Sequence, residues 1–243
     1  YSPVRNTGTE RRRIMLKFEH VTKVYGGKKA LNDLTLSFLP GHVYALVGPN
    51  GSGKTTLIKM AAGLLTPTYG EILIDGRPVG IDTKKIVSYL PERTYFNESM
   101  TVRETIDFFE DFYEDFSRAK AEDMLARLHV DTGRRLKTLS KGNKEKVQLV
   151  LVMSRHARLY LLDEPIGGVD PATRDYILDT IVSNYNQDST VLISTHLIAD
   201  IEKVLDEFVF INMGNLVMHS SADEVREERG KSIDELFREV FRC

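Results

Sequence analysis

Gly48-Pro49-Asn50-Gly51-Ser52-Gly53-Lys54-Thr55 has the G-x-x-x-x-G-K-[ST] spacing of a phosphate-binding loop. Its glycines let the backbone wrap tightly, so that successive N–H groups converge on one concavity. A helix opening at the end of such a loop adds the partial positive charge of its N-terminus. Lys54 suits the β- and γ-phosphates of a nucleotide, and the Thr55 hydroxyl suits Mg²⁺. Asn50, Gly51, Ser52, Gly53, Lys54, Thr55 and Thr56 are therefore the candidate nucleotide contacts. A glycine-rich turn that binds nothing is the plainer alternative, but the loop stands between an apolar strand and a helix, as the motif requires. The motif alone leaves an ATPase, a GTPase and a small-molecule kinase all open.

A second chemical feature is Arg158-Leu159-Tyr160-Leu161-Leu162-Asp163-Glu164, an apolar run ending in two acids. A strand beside the phosphate loop would bring Asp163 to the metal. Extended backbone alternates its side chains, so Glu164 is expected to point away from Asp163 and toward an attacking water. Two solvated acids at a strand end are the plainer reading of the same residues.

These residues must be positioned by alternating strands and helices. Ile14 to His20, Thr35 to Phe38, Val43 to Val47, Glu71 to Ile74, Ile86 to Leu90, Leu159 to Leu162 and Val191 to Ser194 read as strands. Lys54 to Leu64 and Pro171 to Asn186 read as helices, and Thr101 to Ser154 turns helical throughout. A strand pair (Phe208 to Asn212, Leu216 to His219) and two short helices close the chain. Thr101/Glu104, Ser221/Glu224 and Ser232/Glu235 have capping-box spacing. Continuous apolar strands alternating with helices predict an α/β fold with a mostly parallel sheet covered on both faces. A helical subdomain is expected over about residues 92–156 and C-terminal helices over about 221–243.

Composition narrows the function classes. Lys plus Arg (33) nearly balances Asp plus Glu (35), for a net charge of -2, so a basic nucleic-acid footprint is not expected. A single cysteine, Cys243, excludes an internal disulfide framework and a cysteine-rich zinc site. No apolar run approaches the ~20 residues of a membrane-spanning helix, so a membrane role would act through a partner. Residues 1–14 are polar and basic and read as a non-native or upstream extension, leaving 15–243 as the folded unit.

Together these motifs resemble the nucleotide-binding domain of ABC-type ATPases, from Met15 to about His219 and in the family's order. The resemblance implies a P-loop NTPase core with an N-terminal antiparallel β subdomain and the helical subdomain inserted before a signature motif. Leu139-Ser140-Lys141-Gly142-Asn143 looks like that signature, usually L-S-G-G-Q. By resemblance, Ser140, Lys141, Gly142 and Asn143 meet the nucleotide held by the other subunit of a head-to-tail dimer. Lys141 departs from the usual glycine and Asn143 from the usual glutamine. The resemblance further implies that Glu164 is the catalytic base and His196 its switch histidine. It places Asp170, in Gly167-Gly168-Val169-Asp170, in the D-loop, and makes Tyr25 the residue that stacks on adenine. Glu92 stands where the family has a Gln that senses Mg²⁺, giving Thr55, Glu92 and Asp163 as the metal set.

ATP and Mg²⁺ are the implied cofactors. The implied partners are a second ATPase subunit, most simply an identical one, and a polytopic permease contacting the helical subdomain at the cytoplasmic face of the membrane. The L-S-K-G signature is similar to that of bacterial exporters of peptides, antibiotics or lipids. The alternative is a single-cassette ATPase driving assembly of a non-membrane complex. Phe108, Phe112 and Phe116, spaced by four with Phe109 and Tyr113 beside them, predict an amphipathic helix. Its aromatic stripe should pack into the helical subdomain or line a groove for a partner helix.

Overall fold

The computed structural model describes residues 13–167, 171–185 and 188–241; Asp170, Cys243 and the first twelve residues lie outside the described set. The first strands form a hairpin, β1 (Leu16–Tyr25) and β2 (Lys28–Phe38), turning through Gly26 and Gly27. Both run longer than the stretches expected from sequence, because cross-strand pairing continues through polar residues such as Lys23, Lys28 and Lys29. Next come β3 (Val43–Val47), α1 (Lys54–Ala61), β4 (Tyr69–Ile74), β5 (Arg77–Pro78), α2 (Ile81–Lys84) and β6 (Val87–Leu90). The helical stretch resolves into α3 (Val102–Phe112), α4 (Arg118–Arg127) and α5 (Lys141–Met153). It is followed by β7 (Leu159–Asp163), α6 (Pro171–Asn184), β8 (Thr190–Thr195), α7 (Ile198–Ile201), β9 (Glu207–Asn212), β10 (Asn215–Ser221), α8 (Ala222–Arg229) and α9 (Ile233–Phe241).

Two sheets result. A four-stranded antiparallel sheet has the order β2-β1-β4-β5, and a six-stranded sheet has the order β10-β9-β3-β8-β7-β6. The larger sheet is parallel except where β10 pairs with β9. Its central strands β3, β7 and β8 are buried on both faces, and alternate residues serve different cores. Val43, Ala45 and Val47 face a core shared with the helices, whereas Tyr44 and Leu46 face a core shared with α1 and the antiparallel sheet. Tyr160 and Leu162 divide from Leu159 and Leu161 in the same way. Helix α1 is thus packed between the two sheets, with Leu57, Ile58, Met60 and Ala61 buried.

The helical part is pinned to β6 by Arg155, which is 3% exposed. Its guanidinium donates to Asp115 (2.9 and 3.1 Å) and to the carbonyls of Val87 (2.6 Å) and Lys85 (2.8 Å), and it lies 3.9 Å from the Tyr113 ring centre. Helix α3 has the expected capping box at Thr101/Glu104. Its aromatic residues divide between the two expected roles: Phe109 is buried with Val102 and Ile106, while Phe108 and Phe112 are 54% and 67% exposed. A spacing of four follows one helical face, but 3.6 residues per turn puts 102, 106 and 109 on the inward one. The helix also ends at Phe112, so Phe116 is not part of that ladder.

Candidate functional site

The phosphate loop connects β3 to α1, at the carboxyl end of a central strand. Gly51 and Gly53 have φ of 80° and 110°, in the left-handed region that suits glycine. A Cβ on Gly48 would sit 2.2 Å from the Ile211 carbonyl oxygen, so close backbone contact also requires glycine there. The Lys54 ammonium is folded onto the loop, donating to the carbonyls of Gly48 (2.6 Å) and Pro49 (3.2 Å). Burial lowers its pKa, opposed by the charges of Glu164 and Asp163.

Parallel pairing of β7 with β8 brings Asp163 opposite Ser194. Ser194 Oγ donates to Asp163 Oδ1 at 2.6 Å and Thr55 Oγ1 donates to the same oxygen at 3.1 Å. Asp163 is 1% exposed, and its other oxygen, Oδ2, is buried with no partner. Burial is the main cause that raises its pKa, against the two hydroxyl bonds. A buried carboxylate oxygen left bare beside a threonine hydroxyl fits a hard divalent cation, which would complete its shell from water and phosphate oxygens. Among the described residues no group of three or more His, Cys, Asp or Glu could hold a metal by itself. Thr55 and Asp163 would hold Mg²⁺ together with a nucleotide, and the cation would neutralise phosphate charge there.

Glu164 meets a different partner from Asp163, but not because the strand continues. Its φ is +51°, so the backbone leaves the extended conformation at this residue. Ser194 stabilises the turn, its carbonyl (3.1 Å) and Oγ (3.0 Å) both accepting from the Glu164 N–H. The result directs Glu164 Oε2 to 2.9 Å from Nδ1 of His196, which follows β8. Burial raises the Glu164 pKa, while His196 and Lys54 hold it down. A strained, half-buried carboxylate with a histidine partner can take a proton from water.

A cleft of about 940 Å³ gathers Asn50 to Thr56, Glu92, Glu164 and His196. Glu92 is exposed on its wall, near enough for its charge to raise the pKa of Asp163. Of the signature residues, Lys141 lines the cleft, whereas Ser140, Gly142 and Asn143 do not. Ser140 caps α5, its Oγ accepting from the Asn143 N–H at 3.3 Å. Tyr25 ends β1, 45% exposed and outside the cleft lining, with the Lys23 ammonium 5.2 Å from its ring centre. Sequence reasoning passed over Ser194, Ala30 and Arg93. The Ser194-Thr195-His196 run at a strand end was a usable signal for Ser194.

The family profile described as "ABC transporter" matches residues 31–167. The chain is 30% identical over 222 residues to the ABC transporter ATP-binding protein YhaQ of Bacillus subtilis, spanning 89% of this chain and 74% of that protein. It is 30% identical to the daunorubicin resistance ATP-binding protein DrrA3 of Streptomyces coeruleorubidus (90% and 72%). It is 31% identical to the carnitine transport ATP-binding protein OpuCA of Listeria monocytogenes (92% and 59%). A solved ATP-binding subunit of an ABC transporter superposes with a TM-score of 0.82 at 30% identity, covering 93% of this chain and 99% of the other. The fold and site define a nucleotide-hydrolysing cassette of the P-loop class. The chain belongs to the ABC transporter family, as its ATP-binding, ATP-hydrolysing component.

Proposed function

We propose that this chain powers an exporter. Two copies close around two Mg·ATP, each chain supplying its phosphate loop to one nucleotide and its Ser140–Asn143 segment to the other. Glu164 activates water with His196 as its partner, Thr55, Glu92 and Asp163 serve the metal, Asp170 communicates between the copies, and Tyr25 stacks on adenine. Closure pulls on a polytopic permease at the cytoplasmic face of the membrane, with a peptide, antibiotic or lipid as cargo and no nucleic-acid partner.

The observation that carries the membrane coupling is a second hollow beside the nucleotide cleft. A groove of about 660 Å³ lies between α3 and the β6 edge, lined by Tyr89, Tyr95, Phe109 and Phe112 with Lys59, Lys84, Lys85 and Arg93. An aromatic groove with a basic rim fits an amphipathic helix of a partner. Among the described residues, no helix is long and apolar enough to cross a membrane. Arg93 lines both hollows, which gives partner and nucleotide a shared wall. The resistance function in the name of DrrA3 supports the outward direction, while the carnitine transport of OpuCA makes direction the point to test.

The test is detergent extraction of native membranes with copurification of a polytopic partner, followed by transport of that complex in inside-out vesicles. A stoichiometric complex and ATP-driven uptake into those vesicles are expected. Cargo leaving the vesicles would overturn the exporter reading, and a soluble stoichiometric partner with no permease would favour an assembly ATPase.

A further inference from the structure

A nucleotide bound as proposed needs groups from two different sheets. Its phosphates lie on the loop after β3, in the six-stranded sheet, and its base lies on Tyr25, in the antiparallel one. The distance between those two places has to match the length of the ligand. One residue of the β9–β10 turn touches both sides. The Gly214 N–H donates to the Ser52 carbonyl of the phosphate loop at 2.9 Å, and the Gly214 carbonyl accepts from the Asn32 N–H of β2 at 2.9 Å.

The turn is built for this contact. Met213 and Gly214 have φ of 46° and 77°, the two positive values of a tight hairpin turn. A Cβ on Gly214 would lie 2.6 Å from the Ala30 carbonyl oxygen and 2.8 Å from the Leu31 Cα. A Cβ on Gly53 would meet the same Ala30 oxygen at 2.6 Å, so β2 is held between two glycines, one in the loop and one in the turn. Asn215 Oδ1 accepts from Asn32 Nδ2 at 2.9 Å, and Asn215 Nδ2 donates to the Met213 carbonyl at 3.0 Å. The Ser52 carbonyl is an acceptor and does not bind an anion, so its bond to Gly214 is compatible with an occupied loop. The Lys54 bonds to Gly48 and Pro49 differ, because phosphate competes for the same ammonium.

We propose that Gly214 is a positioning residue that sets the spacing between the Tyr25 stacking face and the phosphate loop, and so matches the site to a whole nucleoside triphosphate. This rests on the stacking role of Tyr25. Equilibrium binding of ATP and of inorganic tripolyphosphate, both with Mg²⁺, separates the possibilities, because tripolyphosphate needs the loop alone. Gly214→Ala should weaken ATP by about three- to tenfold, the worth of one aromatic stack, and leave tripolyphosphate within about twofold. Tyr25→Ala should show the same pattern, and the double variant should lose no more than Tyr25→Ala alone. Should Gly214→Ala fail to fold, Asn215→Ala cuts the side-chain tie to Asn32 without adding a Cβ at the contact, and the same selective loss is expected. Equal weakening of ATP and tripolyphosphate, additive losses in the double variant, or unchanged ATP affinity would each overturn the proposal. An unchanged ATP affinity in Tyr25→Ala would instead sink the stacking role, and the spacing role with it.

Discussion

Asp163 and Glu164 are neighbours in the chain with different surroundings. Asp163 is held by two hydroxyls with one oxygen bare, and Glu164 turns through a positive φ to face His196. Glu164→Gln keeps the shape and removes the base. ATP binding should persist while hydrolysis falls by orders of magnitude, and undiminished turnover in a phosphate-release assay would reject Glu164 in this role. Lys54→Ala should act earlier, weakening nucleotide binding itself by calorimetry, because a buried ammonium among loop carbonyls has no substitute there. Glu92→Gln should retain nucleotide binding and shift the Mg²⁺ titration of hydrolysis, since it removes a full charge felt by Asp163. Superimposable titrations would count against a metal role for Glu92.

At the scale of elements, α3 carries two aromatic populations. Phe109 packs inward at 3% exposure beside Phe96, Tyr113 and Phe116, whereas Phe108 and Phe112 stack on each other at the surface, 5.9 Å apart. Phe109→Ala should cost about 3–5 kcal/mol of stability in a denaturant titration, the usual cost of emptying a core aromatic site. Phe112→Ala should change stability by under about 0.5 kcal/mol. It should also reduce recovery of the permease, because its ring lines the groove proposed for the partner. Equal losses of stability from the two variants would contradict this division of the helix.

Over the whole molecule, the two sheets are tied by charge as well as by backbone. Asp75, between β4 and β5, binds Arg13 at 2.8 Å and Arg158, just before β7, at 2.8 Å. The hydrogen bond from Arg13, then that from Arg158, holds the Asp75 pKa down to about 2. A carboxyl whose folded pKa is depressed adds stability above its unfolded pKa of about 3.9 and loses it as pH falls through the folded value. Acid unfolding between about pH 4 and pH 2 should therefore be shallower in Asp75→Asn than in the parent chain. Parallel pH profiles of Tm would show that this junction adds nothing.

The phosphate loop, the order of the motifs and the helix caps were legible in the residues because each is a short-range device. A glycine-rich turn, a strand and a helix start sit within about a dozen positions, and Thr101 meets Glu104 three residues on. The apolar run of β7 likewise announced a buried strand ending in two acids. What lay beyond the residue pattern arises from contacts between distant segments. Ser194 reaches Asp163 because β8 pairs with β7, Phe109 rather than Phe112 is covered because of what packs against α3, and Glu164 turns because Ser194 holds its N–H. Gly214 meets Ser52 across 162 residues of chain. No local preference encodes such a meeting, since it follows from how strands from different parts of the chain are placed side by side.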